Sequence, residues 1–312
     1  MIRIYLREKK EEAMSTDSII YDGHIHINAG DSPDALKFVR ECSRAGVGGG
    51  LVISPPPGSS PVALGVDIPA QKRMTMTRDF CEACGKTFFP CFWIDPLDPK
   101  APVQVKHAKE MGIRALKVIC STHAPSAGLP VYREAVKYDL PILFHSGILW
   151  DGKDSGRYNR PCEFECLLEA SGLRFTLAHV SWPWTEECAA LFGKLQNGGR
   201  KYNKNLTFFI DDSPGIPDIA RREAFRNFAF IGYDLREHLI FGTDNNTLSY
   251  NWEWAKYMLD FDRDMFADLN REFQDFNGYL AVSRFRDGKR PDLNEVYQNS
   301  IHKNLLRFIG EI

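Results

Sequence analysis

The sequence has no uninterrupted apolar stretch of about 18 residues, the least a helix needs to span a bilayer, so no membrane segment is expected. Neither sign of charge is in excess: 39 Lys and Arg stand against 41 Asp and Glu, a formal net charge of -2. The basic residues are scattered rather than blocked, which argues against a nucleic-acid partner. Cys81-Glu82-Ala83-Cys84 has redox or metal spacing, but no second Cys-x-x-Cys follows it. The eight cysteines therefore read as free structural thiols of a reducing cytosol. Gly48-Gly49-Gly50 is not followed by Gly-Lys-Ser/Thr, so a phosphate-binding loop is not expected. The opening residues lack a long apolar core with a cleavage-like site after it. Residues 1–17 read as a polar N-terminal extension, residues 18–312 as one domain, and the expected location is cytoplasmic.

What is present is an ordinary globular balance over 312 residues, 44% hydrophobic and 26% charged. Eight short apolar runs alternate with helical patterns. They centre on Ile19 to Ile27, Gly48 to Ser54, Phe88 to Ile94, Ile113 to Ile119, Leu140 to His145, Leu173 to His179, Leu206 to Asp211 and His238 to Asp244. Ser32 and Pro33 suggest the cap and first residue of the first helix, which ends at Gly46. Pro55 to Thr77 reads as a long loop over a binding site, with a helix starting near Arg78. Asn197-Gly198-Gly199 suggests the end of the helix after Trp184. Apolar groups from Trp252 to Phe261, Met265 to Leu280 and Val296 to Ile309 suggest a last barrel helix and added C-terminal helices. The repetition fits an α/β protein, a TIM-type (β/α)8 barrel, with a doubly wound sheet as the alternative.

The chemistry begins at Asp22-Gly23-His24-Ile25-His26. On a strand, alternate side chains share a face, so His24 and His26 point together; on a helix they would lie about 200° apart. Two imidazoles can hold a divalent ion such as zinc, and Asp22 or another nearby acceptor can orient one ring. His145, His179 and Asp244 stand at later strand ends, which a barrel gathers at one face. Lys117 is a charge inside an apolar strand and calls for a partner: an anionic substrate group, an ion pair or, once carboxylated, two bridged metals.

These segments resemble the amidohydrolase superfamily, especially its amidohydrolase-2 branch. The resemblance is carried by Asp22 to His26, Pro141 to Gly147, Ala178 to Trp184 and Phe241-Gly242-Thr243-Asp244. Ser181 stands where that family often has glycine. The resemblance implies one divalent metal, zinc ahead of manganese, on His24, His26, His145 and Asp244. It implies catalytic roles for Asp244 and His179, and a homodimer. The expected activity is hydrolysis of a small cyclic ester or amide by metal-activated water. The alternative is nonoxidative decarboxylation of an aromatic or unsaturated acid; the complete His-x-His pair favours hydrolysis. Lys117, Trp150, Arg157, Trp182 and Trp184 are the candidates for holding the small-molecule substrate.

Overall fold

The computed structural model describes residues 19–201, 205–276 and 290–312. The proposed N-terminal extension, and residues 277–280 of the expected C-terminal helical region, lie outside them. Among the described residues, nine strands form one parallel sheet in the order β8-β7-β6-β5-β4-β3-β2-β1-β9. They are β1 (Ile20–His26), β2 (Val47–Ile53), β3 (Phe88–Trp93), β4 (Ala115–Val118), β5 (Ile142–Phe144), β6 (Arg174–Leu177), β7 (Thr207–Asp211), β8 (Leu239–Ile240) and β9 (Asn245–Asn246). β8 and β9 are two halves of the eighth barrel position, one paired with β7 and the other with β1. Gly23 N donates to Phe241 O at 2.7 Å and Thr247 N to His26 O at 2.8 Å, so the ring closes between the first and last strand positions.

Side-chain alternation sorts each strand into two layers. Ile25, Val52, Phe92, Leu116, Phe144 and Phe175 face the surrounding helices in the larger core. Residues of the opposite parity, such as Ile53, Trp93, Ala115, Leu143 and Phe209, fill the barrel interior. Lys117 shares this inward parity and is buried. Among the described residues the α-helices are α1 (Ala35–Ala45), α2 (Ala70–Cys84), α3 (Ala101–Glu110), α4 (Leu129–Lys137), α5 (Thr185–Lys201), α6 (Asp218–Ile231), α7 (Trp252–Asp275), α8 (Leu293–His302) and α9 (Asn304–Ile309). Leu305, Leu306, Phe308 and Ile309 of α9 join the interior core, while His302 Nδ1 bonds to Ile19 O at 2.7 Å. These helices close the end of the barrel where the strands begin.

Several boundaries differ from the sequence reading. The cap of α1 is Asp34, whose carboxylate accepts from Lys37 N, not Ser32. α2 starts at Ala70, so the long loop is shorter than expected. α5 runs through Asn197-Gly198-Gly199 to Lys201. The region from Trp252 to Asp275 is one helix, and the C-terminal helical segment is two. The segment Pro161–Glu169 between β5 and β6 is a 3-10 helix. None of the eight cysteines is in a disulfide.

α6 and α7 are tied to the end of β7 by a buried ion triad. Arg221 holds Asp262 with two bonds, Nε to Oδ1 at 2.7 Å and Nη2 to Oδ2 at 2.5 Å. Its Nη2 also lies 3.1 Å from Asp212 Oδ2. Asp212 Oδ1 in turn accepts from Gly242 N at 3.1 Å, linking the seventh and eighth strand positions.

Candidate functional site

β1 places His24 and His26 on the inward face, with Ile25 between them on the helix-facing side. Their Nε2 atoms lie 3.1 Å apart. The Asp244 Oδ1 atom lies 3.2 Å from His26 Nε2 and 3.5 Å from His24 Nε2. One ligand atom from each of these three residues falls within a 4.8 Å cluster. Close approach of the strands makes this possible: a Cβ on Gly242 would lie 2.9 Å from His24 Cβ. Asp244 itself has a left-handed backbone, φ 53, which turns its side chain back toward β1.

Lys117, His145, His179, Trp150 and Trp182 line the same cavity, whose volume is about 520 Å³. Lys117 Nζ sits 3.3 Å from His24 Nε2. The rings of His145 and His179 are 4.9 Å apart, and those of His24 and His179 stack at 5.3 Å. His145 stands outside the three-residue ligand cluster, yet its Nε2 is buried without a hydrogen-bond partner. Trp150 and Trp182 line the cavity, and Val62 brings the loop after β2 to it. Arg157 and Trp184 are not among the lining residues. The Arg157 guanidinium lies over the Tyr158 ring, and Trp184 lies under that of Arg160.

Asp211, at the end of β7, received no role in the sequence reading. Its Oδ2 is 2.6 Å from His24 Nδ1, with both side chains buried. A carboxylate only accepts, so the His24 proton belongs on Nδ1 and Nε2 is left with its lone pair. Ser213 N donates to Asp211 Oδ1 at 2.6 Å. Ser213 Oγ bridges His24 Nδ1 at 3.1 Å and His179 Nδ1 at 3.0 Å. Asp22 does not reach a ring. It accepts from His24 N, Thr243 N, Thr243 Oγ1 and Tyr250 OH, pinning β1 to the eighth strand position. Burial pushes its carboxyl up to about 7 against those bonds.

The electrostatics keep His24, His145 and His179 neutral. Burial, then the Lys117 charge, pushes His24 down to about 4. Burial and the neighbouring His179 and Lys117 hold His145 well below the usual histidine range, and burial lowers His179. Burial also lowers Lys117 to about 8. Two ring nitrogens facing a carboxylate oxygen form a donor set suited to a divalent ion. The unpaired His145 Nε2 adds a further donor in the same cavity. The residues therefore fit a metal.

His179, Val180 and Ser181 all have left-handed backbone, φ 61, 48 and 59. A β-branched residue there is costly, and such strain gathers at functional sites. Ser181 thus keeps the conformation that glycine would reach freely, with its Oγ accepting from Ser146 Oγ at 2.8 Å.

No protein-family model matches the sequence, and a search of curated proteins finds no match. Solved structures do. An uncharacterised TIM-barrel protein from Bordetella bronchiseptica is similar at 13% identity and a TM-score of 0.57, over 93% of this chain and 99% of that one. A dihydroorotase from Campylobacter jejuni matches at 12% identity and a TM-score of 0.53, over 94% and 83%. An amidohydrolase from Burkholderia multivorans with bound zinc matches at 11% identity and a TM-score of 0.53, over 94% and 99%. At these identities the likeness speaks for the barrel and leaves the reaction to be argued from the site.

Proposed function

We propose that the chain is a metal-dependent hydrolase of the amidohydrolase type, acting on a small cyclic ester or amide. The observation that carries this reading is the convergence of His24 Nε2, His26 Nε2 and Asp244 Oδ1 at the strand ends of a barrel. His24, His26 and Asp244 would hold a divalent ion, zinc ahead of manganese, which would supply Lewis-acid chemistry toward a carbonyl and a neighbouring water. The chain's own residues do the rest. Asp211 fixes the His24 ring so that its lone pair faces the cavity. Asp244 accepts a proton from the attacking water at a carboxylate oxygen. His179, set by Ser213, stabilises the charge that develops on the carbonyl oxygen or helps pass the proton held by Asp244 to the leaving group. Lys117, Trp150 and Trp182 bound the space for the substrate.

A two-ion site is the second reading. Lys117 lies against His24, and His145 and His179 face the same cavity. A carbamate formed on Lys117 by carbon dioxide would then join the two positions. Elemental analysis separates one ion per chain from two.

The reaction is tested by offering small lactones and amides beside aromatic carboxylic acids to metal-loaded protein. Products are followed by mass spectrometry, with labelled water and a carbon dioxide assay. Labelled oxygen in the product supports hydrolysis. Metal-dependent carbon dioxide release, with only background turnover of lactones and amides, overturns it in favour of decarboxylation.

A further inference from the structure

We propose that the body of the substrate, beyond the ester or amide that reacts, is uncharged and aromatic or alicyclic and carries no carboxylate. The inference rests on the hydrolase reading for the reacting group, and on the cavity walls for everything else.

Among the described residues, the charged side chains other than histidine that line the cavity are Lys117 and Asp244. Both stand within 3.5 Å of His24 Nε2, so their charges serve the reacting centre. Above them the walls are apolar: Trp93, Ile119, Val62, Trp150 and Trp182. Trp93 begins this wall beside the metal-binding rings, its ring 5.8 Å from that of His26. Apart from the histidines and the indole N–H groups, the remaining polar side chains of the wall are the amides of Asn28 and Asn246, which can meet a hydroxyl or carbonyl but not neutralise an anion.

The nearby guanidiniums are engaged elsewhere. Arg73 lies behind Trp93 and donates to the carbonyls of Trp93, Pro55 and Ile68. Arg157 donates to Tyr158 OH, and Arg160 is paired with Glu187. A carboxylate on that body would lose its hydration against indole and aliphatic groups with no counter-charge. An aromatic body would instead cover Trp150, whose indole is 81% exposed at the mouth. The volume of about 520 Å³ suits a molecule of one or two rings.

The experiment uses metal-loaded protein and two matched pairs of probes. Dihydrocoumarin and its ring-carboxylated counterpart report turnover. α-Tetralone and its ring-carboxylated counterpart are ketones that cannot be hydrolysed, and report binding by calorimetry. The neutral ketone is expected to bind at least about tenfold more tightly than the charged one. Trp150→Ala should weaken the neutral ketone by about tenfold and leave the charged one unchanged. Val62→Arg should improve the charged one. Equal or tighter binding of the charged ketone, or no binding of either ketone, overturns the inference. Preferential binding of α-tetralone without hydrolysis of dihydrocoumarin supports it and counts against the hydrolase reading. Faster hydrolysis of the carboxylated lactone than of dihydrocoumarin overturns it and leaves that reading standing.

Discussion

Asp211 accepts the Nδ1 proton of His24 across 2.6 Å, joining the last residue of β7 to the first histidine of β1 in a buried pair. The bond decides which His24 nitrogen faces the cavity. Asp211→Asn lets the ring choose either tautomer. Metal affinity should fall by roughly 10- to 100-fold while the fold is kept. Chelator competition with zinc measures this; an unchanged affinity would show that packing alone sets the ring.

His24 and His179 should separate under substitution. His24→Ala removes a nitrogen from the three-residue cluster and should strip the metal. His179→Ala should keep most of it and lose turnover by about 10²- to 10⁴-fold. Metal content and rate are to be measured on both folded proteins. Equal metal loss would make His179 a ligand.

Acid should weaken the metal-free protein partly through His24. Its ordinary value is 6.5, and in the fold it lies at about 4. Between those values the unfolded chain binds a proton that the folded chain refuses, so stability drops as pH falls. Asp22, raised from 3.8 to about 7, runs the opposite way over much of the same window. The informative quantity is therefore a difference. Going from about pH 7 to about pH 4, the wild type should lose about 2–3 kcal/mol more than His24→Asn, read from urea unfolding with chelator present. Equal losses would contradict a neutral buried His24.

The Arg221 triad gives a stability prediction away from the cavity. Asp262→Ala leaves Arg221 buried with only Asp212 as a counter-charge. It should cost about 3–5 kcal/mol. Urea unfolding decides, and a cost below about 1 kcal/mol would mean that water enters beside Arg221.

The barrel was legible because short apolar runs alternate with helical patterns, and several of the later runs end in a histidine or an aspartate. His145, His179 and Asp244 stood out for that reason. Asp211 closes the run Leu206 to Ile210 in the same way. Its role was missed because the carboxylate works on a ring 187 residues away, a distance only ring closure removes. The start of α2 was hidden because Pro69 precedes it and no side chain caps it. Arg73 in its first turn is spent on loop carbonyls rather than on the helix. In α5, Gly198 and Gly199 each cost about 1 kcal/mol relative to alanine, an amount that context can override. Arg157 and Trp184 sit near the expected loops, but each is taken up by a neighbouring side chain.

The seam between β1 and β9 also bears on the order of assembly. His24 and His26 come early in the chain and Asp244 late, and the donor set exists only when the two ends of the sheet meet. A chain still lacking its last strand has no such pocket for the ion, so metal uptake follows ring closure rather than guiding the early pairings. Once bound, the ion adds to the closed form by mass action. Chelation should then hasten amide exchange at Gly23 and Thr247, which bridge the seam, before it touches the β3–β4–β5 ladder. Uniform acceleration around the ring would mean that the barrel opens everywhere at once.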